Sequence, residues 1–239
     1  MTDLGRFRAV LFDLDGVLTP TAEVHMRAWQ QLFTDYLAGR DGVAPYAETD
    51  YFDHIDGKPR YDGVRSLLAS RGLTLPEGSP DDPATAETVC GLGNRKNDVF
   101  AAVLHEEGVR PYPGSVAFLD HVERLGLALA VVSSSRNAPA VLAAAGLADR
   151  FPVVVDGTVA AADGLPGKPA PDTFVAAAER LGVAVPEAVV VEDAISGVAA
   201  GAAGGFGLVV GVDRGVGADR LREAGAGLVV ADLDELVPA

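Results

Sequence analysis

Cysteine, aromatic side chains and positive charge are all scarce in this chain. Cys90 is the single cysteine, so no intrachain disulfide can form, which suits a reducing compartment. By the usual behaviour of an isolated thiol, Cys90 reads as a small buried side chain. Aromatic residues make up 6% of the chain, which leaves Ala, Val and Leu to do most of the packing. There are 19 Lys and Arg against 34 Asp and Glu, a formal net charge of −15. Such a field repels phosphate backbones and anionic lipids and argues against general nucleic-acid or membrane-surface binding. It also sets a condition: an anionic substrate can be held only where a metal ion or a few placed cations reverse the local charge. Residues 1–8 contain no long apolar stretch and do not read as a signal peptide. The uncharged run 194–212 holds six glycines, and a helix, a turn and a strand account for it better than a membrane span. A cytoplasmic, monomeric protein is expected.

What is present is enough apolar residue to build a core: 49% of 239 residues. Residues 8–12, RAVLF, form a short apolar run that ends in D-L-D-G and reads as a buried strand entering a turn. Residues 21–40 read as a helix with Val24, Ala28, Trp29, Leu32, Phe33, Tyr36 and Leu37 on one face. Helices are also expected over 62–71 and 84–105, with a loop, LPEGSPDDP, at 75–83. After Pro111 the texture changes. Strands at 127–132, 151–155, 188–191, 208–212 and 227–231 are interleaved with helices at 115–125, 138–145, 173–181, 196–203 and 219–224. Strands alternating with helices predict an α/β, doubly wound, Rossmann-like parallel sheet. The helices between the first strand and the rest predict an inserted helical domain. The expected division is a core of 1–20 and 104–239 and a cap of 21–103.

Polar residues gather where the strands end. Asp13 and Asp15 follow the first strand, Ser133, Ser134 and Ser135 the second, and Glu192 and Asp193 a later one; Lys168 opens G-K-P-A-P-D-T-F between two of them. Ligands of open parallel sheets bind beyond the carboxyl ends of the strands, so these segments can converge on one site. Several carboxylates in one crevice repel each other unless a cation sits among them. An all-oxygen ligand set beside a phosphate favours Mg²⁺. Lys168 adds a point charge for a carboxylate and a phosphoryl oxygen, and the serine hydroxyls and backbone N–H groups complete a cradle. One carboxylate can then attack phosphorus while a second protonates the leaving oxygen. Taken singly, a D-x-D-G tetrapeptide is often a surface turn, an E-D pair a solvated loop, and a lysine a surface charge. Their joint placement at strand ends is what points to phosphoryl transfer.

The motifs FDLDGVLT (12–19), VVSSS (131–135), GKPAPDTF (167–174) and VVVEDAISGV (189–198) resemble those of the haloacid dehalogenase superfamily, in the same order and over nearly the whole chain. The resemblance implies Asp13 as nucleophile, Asp15 as general acid and base, and Ser133 and Lys168 as ligands of the transferring phosphoryl group. Asp13, the Asp15 backbone carbonyl, Glu192 and Asp193 would surround Mg²⁺, with the insert closing over the site. Within the superfamily the cap is similar to the β-phosphoglucomutase-like subgroup, through TAEVHMRAW (21–29), IDGKPRYDGVRSLL (55–68) and NRKND (94–98). That likeness implies substrate-binding roles for Thr21, His25, Gly57, Arg60 and Lys96, and, after the serine run, for Ser134, Ser135, Arg136 and Asn137. Arg60 falls where the subgroup places an arginine for the non-transferring phosphate.

Two features depart from the pattern. Pro20 stands where many relatives carry Asp, and the cap has extra residues around 42–51 and 75–83. The expected substrate is a small phosphorylated sugar. Three outcomes share this core: a mutase, a sugar-phosphate phosphatase, and a sugar-phosphate-binding protein without chemistry. The cap arginine favours the mutase, because a bisphosphate that must bind in two orientations needs a grip on the idle phosphate. Possession of Asp13, Asp15, Lys168 and Asp193 argues against the inert binder.

Overall fold

The computed structural model describes residues 4–238. Six strands form one parallel sheet: β1 (Ala9–Phe12), β2 (Ala128–Val132), β3 (Val153–Val155), β4 (Ala188–Glu192), β5 (Leu208–Val212) and β6 (Leu228–Val230), in the order β3-β2-β1-β4-β5-β6. The chain divides into two compact units, one of residues up to Pro20 and from Val109 onward, the other Thr21–Gly108.

In the first unit β1 lies at the centre of the sheet, with all four residues fully buried. A strand covered on both faces has no polar side to show, which is why A-V-L-F does not alternate. Register carries the design further. Phe12 is level with Val131 on one side and Val191 on the other, so Asp13 continues beside Val132 and Glu192. This is where the order reverses about β1, the place where doubly wound sheets bind ligands. Small helices suit the packing. A Cβ at Gly201, in the helix Ile195–Gly204, would come within 3.1 Å of the Val190 side chain, so glycine lets that helix lie close on β4.

The second unit is helical: α1 (Thr21–Leu37), α2 (Arg60–Ser70) and α3 (Val89–Glu107), with a π-helical turn at Tyr51–Ile55. Its core collects the scarce aromatics. Trp29, Phe33, Tyr36 and Tyr51 are buried with Leu32, Leu67, Leu68 and Leu92, and Trp29 stacks on Phe33 with centroids 5.5 Å apart. All seven residues expected on the apolar face of the first helix lie on α1, six of them buried and Val24 half-buried.

The elements differ from expectation at their ends. Helix α1 stops at Leu37, three residues early, where Gly39 turns left-handed (φ 73°). Helix α3 starts at Val89 rather than 84, because the Thr88 hydroxyl accepts from Gly91 N–H at 2.9 Å and caps the helix there. It runs on to Glu107, so the unit ends at Gly108 rather than 103. An unforeseen helix, Gly157–Asp163, is capped by Asp156, which accepts from Thr158 and Val159 N–H. Among the described residues no helix is long and apolar enough to cross a membrane.

Candidate active site

The loop after β1 is tightly tied. Asp13 N–H donates to Val191 O at 2.9 Å, extending the ladder one residue past the strand. Gly16 then takes φ 91°, a left-handed value that favours glycine, and its N–H donates to Thr19 O at 2.7 Å. Glycine is required there for a second reason. A Cβ at Gly16 would lie 1.8 Å from Asp193 Oδ2, so the Asp193 carboxylate packs against the bare backbone of the loop. The loop's far side is held by Ser115 Oγ donating to Val17 O (2.6 Å) and Arg214 Nε donating to Gly16 O (2.9 Å). Neither Ser115 nor Arg214 is visible in sequence as part of the site. Each is a distant single residue whose role is a bond to a backbone carbonyl.

Lys168 is the centre of the cluster. Its ammonium is buried and donates to Asp13 Oδ1 (2.5 Å), Glu192 Oε1 (2.6 Å) and Val132 O (3.1 Å). Three separate segments thus meet on one nitrogen, using all three of its protons. Glu192 is fully buried, and its other oxygen, Oε2, accepts from Ala194 N–H at 2.7 Å. Gly197 makes room for it: a Cβ there would lie 1.7 Å from Glu192 Oε1. On the β2 side, buried Ser133 reaches Asp15 Oδ2 at 3.5 Å, and its Oγ accepts from Ser135 N–H at 3.1 Å. Asn137 N–H in turn donates to Ser135 Oγ at 3.1 Å, which folds the S-S-S-R-N segment into a turn with Ser134 half-buried and Arg136 exposed.

The electrostatics are lopsided. Burial lifts the Asp13 carboxyl well above its usual range; Glu192 and Asp15 add to the rise, and Lys168 only partly offsets them. Burial alone would lower the Lys168 ammonium, but Asp13 and Glu192 outweigh it and the net shift is upward. One cation is therefore set among three carboxylates, with Asp193 close against the same loop. That excess of oxygen-borne negative charge fits a hard divalent cation.

Among the described residues no three His, Cys, Asp or Glu side chains converge to hold a metal ion. Each Glu192 oxygen accepts one hydrogen bond, Oε1 from Lys168 and Oε2 from Ala194 N–H.

The cap residues singled out in sequence lie in the second unit. Buried Lys96 contacts His25 Nδ1 and lies over the rings of Trp29 (5.1 Å) and Phe100 (5.0 Å), while His25 stacks on Phe100 at 4.0 Å. Thr21, the first residue of α1, is buried. Gly57 takes φ 69° in the turn that leads to α2. Arg60 opens α2, and its guanidinium donates to Asn97 Oδ1 (2.6 Å) and Asn94 Oδ1 (3.4 Å).

Comparison with known proteins identifies the family. The family model for haloacid dehalogenase-like hydrolases matches residues 7–205. The chain is 51% identical to a β-phosphoglucomutase of Mycobacterium tuberculosis, over 97% of this chain and 92% of that one. It is 32% identical to hexitol phosphatase A of Escherichia coli, over 97% and 94%. A crystal structure of β-phosphoglucomutase from Clostridium difficile superposes with a TM-score of 0.77 at 25% identity, covering 96% of this chain and 93% of that one. A parallel sheet that gathers Asp13, Lys168 and Glu192 at its centre, and these likenesses across nearly the whole chain, place the protein in the haloacid dehalogenase-like hydrolase family, in its β-phosphoglucomutase-like subgroup.

Proposed function

We propose that this protein is a β-phosphoglucomutase, converting β-glucose 1-phosphate to glucose 6-phosphate through an aspartyl-phosphate on Asp13. The observation that carries the reading is the 51% identity to the M. tuberculosis mutase along almost the full length of both chains. With Oδ1 held by Lys168, the other oxygen of Asp13 attacks the phosphorus of a sugar bisphosphate. The bond from phosphorus to the sugar oxygen breaks, and that oxygen takes a proton from Asp15. Loss of the 1-phosphoryl group releases glucose 6-phosphate; an incoming β-glucose 1-phosphate then presents its 6-hydroxyl, Asp15 recovers the proton, and the phosphoryl group leaves Asp13 for that oxygen, regenerating the bisphosphate. In this scheme Ser133 donates to the phosphoryl oxygens and Lys168 attracts them by its charge, with Ser134, Ser135, Arg136 and Asn137 lining the approach. Glu192 keeps Lys168 in place.

Mg²⁺, held by Asp13, Asp193 and the Asp15 carbonyl, would neutralise phosphoryl charge and keep Asp13 ionised. Arg60 grips the phosphate that is not reacting, and Lys96, His25, Thr21 and Gly57 shape the sugar side. A second reading, a phosphatase acting on a sugar phosphate, is favoured by the likeness to hexitol phosphatase A. It uses the same steps with water as acceptor. A ³¹P NMR time course with β-glucose 1-phosphate, Mg²⁺ and a trace of glucose 1,6-bisphosphate separates the two. Growth of the glucose 6-phosphate signal with little inorganic phosphate is expected; rapid release of inorganic phosphate would make the protein a phosphatase.

A further inference from the structure

Helix α3 carries glycine at position 93, a residue that weakens a helix interior relative to alanine. The space it leaves is used. A Cβ at Gly93 would lie 2.7 Å from the Tyr61 ring and 3.1 Å from Arg60 Cδ. The next residue, Asn94, employs its whole amide. Oδ1 accepts from Tyr61 Oη (3.0 Å) and Arg60 Nη1 (3.4 Å), while Nδ2 donates to the carbonyls of Pro80 (3.0 Å) and Asp82 (2.9 Å). A guanidinium can only donate and a carbonyl can only accept, so the amide has one workable orientation. Three residues on, Asn97 accepts from the other Nη of the same guanidinium at 2.6 Å.

The two carbonyls that fix Asn94 belong to the 75–83 segment, which reads in sequence as a loop. That segment is itself docked on the start of α3. Val89 and Cys90 N–H donate to Pro76 and Glu77 O (3.0 and 3.1 Å), and Thr88 Oγ1 donates to Asp82 Oδ2 (2.6 Å).

We propose that Gly93, Asn94 and Asn97 form a seat that fixes the direction of the Arg60 guanidinium, and that the 75–83 segment sets that direction through Asn94. Asn94 and Asn97 are positioning residues for recognition of the idle phosphate. The inference rests on the role given to Arg60 above.

The test uses the full chain, with N94A, G93A, R60A and the double variant N94A/R60A. Two rates are measured, bisphosphate-primed conversion of β-glucose 1-phosphate and hydrolysis of p-nitrophenyl phosphate, together with the thermal midpoint. N94A is expected to lower kcat/KM for conversion roughly 10- to 100-fold, and aryl phosphate hydrolysis far less. In the double variant the loss should be no greater than in R60A alone. Conversion by N94A within about twofold of wild type, equal losses in both reactions, or losses that multiply in the double variant would each overturn the seat. G93A should act in the same direction; N94A carries the test if G93A does not fold. The ¹⁵N signals of the Arg60 side chain give a reading independent of turnover, with hindered rotation about the guanidinium expected in wild type and lost in N94A. If R60A converts substrate like wild type, the role assigned to Arg60 fails. In that case hindered rotation kept in N94A overturns the seat as well, and its loss upholds it.

Discussion

Two cations in this molecule are held on opposite terms. Lys168, in the sheet unit, is buried and donates to two carboxylates, Asp13 and Glu192. Arg60, in the helical unit, is half-buried and donates to two amide oxygens, those of Asn94 and Asn97. In the first arrangement charge answers charge, and the lysine becomes a structural member of a cluster that still carries excess negative charge. In the second, two amide oxygens set the direction of a guanidinium. The contrast matches the two tasks proposed. A phosphoryl group in flight needs a centre whose parts do not move, whereas an idle phosphate that must arrive in either of two orientations needs an aimed positive group.

The sharpest way to break the comparison is at its charged end. Asp13→Asn should lower turnover by roughly three orders of magnitude or more and abolish any acid-stable mass increment of one phosphoryl group on the intact protein. Wild-type turnover in that variant would remove Asp13 as nucleophile. Lys168→Ala should cost about 3–5 kcal/mol in denaturant unfolding, because Asp13 and Glu192 are left buried without their shared partner. A loss below about 1 kcal/mol would mean that the cluster is solvated like a surface pair.

At the neutral-acceptor end, Arg60→Ala should reduce primed conversion of β-glucose 1-phosphate about 10- to 100-fold while affecting aryl phosphate hydrolysis far less. Equal losses would mean that Arg60 does not grip a second phosphate. The smallest effect concerns pH. Because the Asp13 carboxyl is raised above 3.8 in the fold, the native state keeps a proton that the unfolded chain gives up. In metal-free protein, stability should therefore fall as pH rises from about 4 through the folded value, and Asp13→Asn should flatten that slope. Urea unfolding in EDTA between about pH 4 and 8 measures it, and added Mg²⁺ should restore stability at the upper end. A slope unchanged in the variant would show that Asp13 is not its source.

Much of the sheet unit was legible because its signals are local. A-V-L-F followed by D-L-D-G, and V-V-V-E-D later, carry their structural meaning within a few residues, as apolar strands that end in a polar turn. The helix Gly157–Asp163 is not legible in sequence although Asp156 and Gly164 flank it as caps, because its alanine-rich body has no apolar periodicity to announce it. Glu192 shows a different limit. Its place at the end of β4 could be read from sequence, but whether its carboxylate faces an ion or Lys168 depends on the side chain's direction, and that follows from the space left by Gly197.

The sequence alone determined the parallel α/β core, the helical insert and the convergence of Asp13, Lys168 and Glu192 at the strand ends. Those follow from hydrophobic pattern and from the rule that polar residues past buried strands meet at one edge of the sheet. Tertiary structure decided which oxygen each donor takes, that Arg214 and Ser115 clamp the Asp13 loop, and that Asn94 joins Arg60 to residues 75–83. Those contacts join residues far apart in the chain or depend on side-chain direction, and no local pattern encodes either.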